Sequence, residues 1–173
     1  MNYIKQTDFK FIPTDGCLLF SILGGVQKFF NKTLAFWQYA YAYWHLVEQE
    51  AMEKDCYIKD HQAVGNLACT LLIEPDYEVL YIGKKDLTNP KDSWGQFFRA
   101  DFTILHGITQ FGGHHFRLGD STAVQIYDPF DPSPKIVGEA SIRYYQVVRR
   151  KSKEGWSDVG ASIDAFIPNG VVG

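Results

Sequence analysis

Three short stretches hold residue types able to do covalent chemistry together. "TDGCLLF" sets Cys17 behind a turn signal and before an apolar run, "GGHHF" opens a strand-like run with His114 and His115, and "QIYDPFDP" ends another with Asp128 before Pro129. A cysteine nucleophile needs a depressed pKa, a histidine within hydrogen-bond reach and a third group that fixes the histidine tautomer. A cysteine in the first turn of a helix faces backbone N–H groups without intrahelical acceptors and the positive end of the helix dipole, and both favour thiolate. The Cys17 N–H can also donate to an oxyanion, and Gly16 is expected to leave room for substrate beside the sulfur. Taken singly, each stretch has an ordinary explanation: a buried filler cysteine, one packed and one exposed histidine, a strand-ending Asp-Pro turn. Together, and in this order, they point to Cys17 as nucleophile, His115 as base and Asp128 as the group that orients it.

The elements that must position these residues follow from the pattern. Residues 16–30 read as a helix apolar on nearly every side, hence central, with Thr14 or Asp15 as N-cap; Gly24-Gly25 permits close packing or a kink. Thr33 is expected to cap a second helix over 34–54, aromatic first and charged later, and Asp60 a third through about Leu72. Beyond Pro75 the runs "EVLYIG", "DFTILHGIT", "HHFRLG", "AVQIYD" and "IRYYQVVRR" are β-branched and aromatic, separated by Gly, Asp, Asn and Pro. "LGDST" reads as a hairpin turn that would bring Asp128 beside His115 on the neighbouring antiparallel strand. Helices first and strands later predict an α+β domain over residues 1–173, with helices packed on a meandering antiparallel sheet.

Composition narrows the partners. The chain has 173 residues, 46% of them apolar, with 13 Phe, 10 Tyr and 4 Trp, enough for a full core in one domain. A net charge of −3 leaves no electrostatic footprint for nucleic acid, and Arg149-Arg150-Lys151 with Lys153 reads as a solvated strand end. Cys17, Cys56 and Cys69 are widely spaced without a CxxC pair, which argues against a disulfide framework and a cysteine zinc site; Cys56 and Cys69 read as structural thiols. His45, His61 and His106 lack metal-ligand spacing, so no metal or organic cofactor is expected. No apolar h-region opens the chain and no run approaches the ~20 residues of a membrane span, so a cytoplasmic protein without a membrane partner is expected; one released by lysis or by a phage particle would look the same. The aromatic run Phe36, Trp37, Tyr39, Tyr41, Tyr43, Trp44 is read as core packing before a peptide or glycan groove; Trp94, Phe97 and Phe98 are candidates to border the cleft, and the Gly-rich tail beyond Trp156 to dock along the domain.

Helix-borne "DGC", strand-borne "GHHF" and a following "YDP" resemble the papain-like cysteine peptidase superfamily, above all the bacteriocin-leader and NlpC-type bacterial branches; a spirochaete and prophage family of this fold is similar too. The resemblance spans roughly residues 6–150 in element order, and about a dozen positions in motif. It implies a papain-like fold, Cys17 as nucleophile, His115 as general base and then acid, and Asp128 as orienting residue. The implied substrate is a peptide or a peptidoglycan stem peptide. His115 is preferred because Phe116 supplies the apolar residue that follows the family's histidine; His114 is the reserve. The chain departs from the family at the oxyanion glutamine, expected six residues before the cysteine, where Phe11 stands; the nearest upstream glutamine is Gln6, which a longer loop would have to bring back. Two other functions fit the same residues: transfer of the acyl group to an amine, as in transglutaminase-like relatives, and a papain-like binding module without turnover.

Overall fold

The computed structural model describes residues 3–13, 16–89 and 99–151. Three helices pack on one face of a five-stranded antiparallel sheet: α1 (Cys17–Phe30), α2 (Phe36–Glu48), α3 (His61–Leu71), then β1 (Tyr77–Asp86), β2 (Phe102–Thr109), β3 (His114–Gly119), β4 (Gln125–Tyr127) and β5 (Ile136–Arg149). The α+β reading holds. The meander does not: the strand order is β1-β5-β2-β3-β4, so the last strand threads between the first two. Strand pairing is set by side-chain faces and loop reach between distant segments, which no local pattern records.

α1 is the core of the domain. Every residue from Cys17 to Gln27 is buried, as its all-round apolar sequence requires. Its glycine pair produces close approach, not a break: a Cβ on Gly25 would lie 2.3 Å from the Phe102 ring, and one on Gly24 would lie 3.3 Å from Leu118. The expected caps Thr14 and Asp15 lie outside the described residues; Gly16 holds the N-cap position and Asn31, in the left-handed conformation, ends the helix.

α2 is shorter than its sequence suggests. It starts after Ala35, whose N–H is taken by the Gln38 side chain at 2.7 Å, so Thr33 is not its cap. It stops at Glu48 because the chain reverses at Glu50 (φ 56) and buries Ala51 and Met52. The aromatic run divides by helical phase: Tyr39 and Tyr43 join the core, while Phe36, Tyr41, Trp44 and Trp37 (64% exposed) face outward. Asp60 caps α3 as expected, accepting from the Ala63 N–H at 3.0 Å. Trp94, Phe97, Phe98, Lys153 and the tail beyond Trp156 lie outside the described residues.

Candidate active site

The three chemical stretches converge on the start of β3. Gly112 (φ 80) and Gly113 form the β2–β3 hairpin turn, with the Thr109 carbonyl accepting from Gly112 at 2.9 Å. The Asp120 carboxylate then organises the β3–β4 turn by accepting from Thr122 (2.8 Å) and Val124 (3.0 Å). This hairpin delivers Asp128 to His115. Nε2 of His115 and Oδ1 of Asp128 lie 2.8 Å apart, with His115 2% and Asp128 7% exposed. Phe130 stands edge-on to the imidazole, its ring centre 5.3 Å away.

Burial alone would push the Asp128 carboxyl up. The hydrogen bond from His115 and that from the Phe130 N–H (2.9 Å) outweigh it and hold the carboxyl below its ordinary value. A carboxylate at Nε2 assigns the proton of a neutral His115 to that nitrogen and leaves Nδ1 as the basic one.

α1 runs in the same direction as β3. Gly24 faces Leu118, and one turn earlier Ser21 Oγ donates to the Phe116 carbonyl at 3.2 Å. Cys17 lies one further turn back, about 6 Å along the axis, so the first turn of α1 comes to the two-histidine start of β3. Cys17 is 2% exposed. β4 pairs with β3 only at Leu118 and Gly119, so toward His114 β3 has no strand beside it on that side among the described residues. The ladder sets the two histidines apart: His114, Phe116 and Leu118 share the face that α1 covers, and His115 and Arg117 share the other.

Gln6 returns to the helix N-terminus. Its N–H donates to the Pro129 carbonyl at 2.8 Å, while Tyr127 Oη donates to the Ile4 carbonyl at 2.7 Å, lacing the N-terminal segment to the end of β4. The Gln6 side chain is buried against Gly16: a Cβ there would lie 2.9 Å from Gln6 Nε2 and 2.8 Å from Ile12 Cγ2. The space beside Gly16 thus belongs to Gln6 and Ile12, not to substrate. One Nε2 hydrogen goes to the Pro13 carbonyl, and an amide nitrogen carries a second. Gln6 Oε1 is buried without a hydrogen-bond partner among the described residues.

On the α1 side of β3 lies a cleft of about 430 Å³, lined by Leu18, His61, His106, His114, Phe116 and Arg143. Cys56, held at φ 70 in the loop before α3, lines it too. That loop has no periodic pattern, so nothing in the sequence marked Cys56 as a cleft residue. Cys69, by contrast, sits in the core, where burial pushes its thiol up to about 11. His61 and His106 are both pulled down to about 4, first by burial and then by the Arg143 charge. No group of three His, Cys, Asp or Glu among the described residues could hold a metal ion. No helix among them is long and apolar enough to cross a membrane. No family model, curated protein or solved structure matches the chain, so the site is read from its own residues and geometry.

Proposed function

We propose that the protein is a cysteine hydrolase of papain-like architecture that cleaves an amide bond in a peptide or a peptidoglycan stem peptide. The observation that carries this reading is the buried His115–Asp128 pair, joined through Nε2 at the start of the strand that the first turn of α1 reaches. A carboxylate fixed on Nε2 leaves Nδ1 to exchange a proton with a thiol, the arrangement a Cys–His dyad needs. Cys17 Sγ, reaching His115 round the edge of β3 that β4 leaves unpaired, gives its proton to Nδ1 and attacks the carbonyl carbon. The oxyanion is taken by the Cys17 N–H, with the second Gln6 Nε2 hydrogen as the other donor. His115 returns the proton to the leaving amine. Water, deprotonated by Nδ1, then releases the acid and restores the thiol.

The test is the pH dependence of alkylation by iodoacetamide, read at each cysteine by peptide mass spectrometry. Cys17 should alkylate well below the free-thiol value of ~8.5, and His115→Ala should remove that low-pH reactivity while His114→Ala keeps it. An inert Cys17, or one indifferent to His115, overturns the hydrolase and leaves a binding module. With a peptide substrate and an added amine, free acid supports hydrolysis and a new amide supports acyl transfer.

A further inference from the structure

The cleft beside Leu18 is walled by a cation whose charge its surroundings do not neutralise. Arg143, projecting from β5, lies over the Phe116 ring with its guanidinium carbon 4.7 Å from the ring centre. Its Nη1 is buried and has no hydrogen-bond partner among the described residues. Arg143 itself lines the cleft, and none of the ion pairs among the described residues includes it, so its charge is open to an anion from outside the chain.

The neighbours do not supply one. His61 Nδ1 is engaged by Tyr145 Oη at 2.6 Å, and His106 Nε2 by His114 Nδ1 at 2.8 Å. Both His61 and His106 are held neutral by burial and by Arg143. At His106 the contributions of Arg143, His114, Lys84 and Arg117 all oppose a further positive charge, so the potential at this wall is positive. Asp55, an acid lining the cleft, is exposed at its rim, where its carboxylate accepts from the Tyr57 N–H at 3.0 Å.

We infer that this cleft is a specificity pocket for a carboxylate, with Arg143 as the residue that binds it. A carboxylate oxygen would accept from the guanidinium N–H groups that border the cleft, a charge-assisted bond. Leu18 places the pocket one residue from Cys17 along the chain. On the hydrolase reading, which this inference extends, the substrate is therefore a peptide carrying a carboxylate close to its scissile bond. The carboxylate is either an acidic side chain or the chain terminus.

Binding is tested apart from turnover, in the Cys17→Ala protein, with the imidazole resonances of His61, His106 and His114 as reporters. Three probes separate the possibilities. N-acetylglutamic acid α-amide offers a side-chain carboxylate, N-acetylglutamine a terminal one, and N-acetylglutaminamide neither. At least one carboxylate probe should shift the rings saturably, the neutral probe should not, and the tighter of the two acids identifies the source. Arg143→Gln should weaken binding at least tenfold. Arg143→Lys, which keeps the charge, should retain the preference and so separate lost recognition from lost folding. Equal binding of the neutral probe, no response to either acid, or unchanged affinity in Arg143→Gln overturns the inference. An inert Cys17 in the wild-type protein would remove the hydrolase while leaving this binding result intact.

Discussion

On one face of β3, His115 gives its Nε2 to the Asp128 carboxylate; on the other, His114 joins His106 at a cleft walled by Arg143. The two histidines are adjacent in the chain, yet their surroundings have opposite sign. On the Asp128 side a carboxylate sits on the ring and fixes its tautomer. The cleft side penalises a protonated ring, because burial and Arg143 hold His61 and His106 down to about 4. Strand alternation alone creates this division, and on the proposed reading it separates the two jobs of a hydrolase. Proton transfer needs a ring that can carry charge, while recognition of an anion needs a wall that stays cationic without gaining protons.

The largest effect should come from neutralising the anionic side. Asp128→Asn keeps the shape but removes the charge, and its amide can present an N–H to His115 Nε2 as readily as an oxygen. Turnover of a peptide substrate should fall by about 10²–10⁴, with Cys17 losing its low-pH alkylation. A fall in kcat of less than tenfold would show that Asp128 only packs. Next, Gln6→Ala should lower kcat by ~10²–10³ if its amide completes the oxyanion hole. The same variant with normal kcat and reduced stability would restrict Gln6 to holding the Pro129 segment.

Acid unfolding separates the faces by pH. His61 and His106 have folded values depressed from 6.5 to about 4, so the unfolded chain binds more protons than the folded one between those limits. Their contribution to stability is full above about 6.5 and is lost as pH falls towards 4. Asp128 is also depressed, from 3.8, so its contribution is lost only below that range. Urea melts from pH 7 to pH 3 should therefore show loss on the cleft side first. Substituting glutamine at His61 and His106 should flatten the upper part of the profile, and Asp128→Asn the lower part. A profile flat from 6.5 to 4 in the wild-type protein would break the contrast.

The smallest effect sharpens it. Arg143→Gln should raise the His106 value from about 4, read by NMR titration of its ring, but leave it below 6.5, because burial is the larger cause. No rise at all would mean that Arg143 does not set the potential of the cleft.

Much of this was legible in the residues. The apolar surround of α1, the Asp60 cap and the short β-branched runs announced their elements, because helix phase, caps and strand composition are local properties. The His115–Asp128 meeting was legible as well, since one hairpin turn joins the two. What escaped the sequence was non-local. The end of α2 is set by burial of Ala51 and Met52 after a reversal at Glu50. Gln6 was legible as the glutamine to be brought back, but what returns it, hydrogen bonds to a segment more than a hundred residues away, was not. The cleft is assembled from two helix starts, an irregular loop and three strands, so Cys56 and Arg143 carried no motif that could reveal it.

The interior position of β5, between β1 and β2, governs when the proposed site can form. β1 and β2 each pair with β5 and not with each other. A nascent chain that has emerged only as far as Asp128 already contains Cys17, His115 and Asp128, yet its first strand has nothing to bind and its β2–β3 hairpin has no sheet to join. Contacts of such long sequence separation form late in folding. Assembly of the proposed thiol–base pair is thereby tied to near-completion of the domain, and a partly synthesised chain would carry all three residues without the site that joins them.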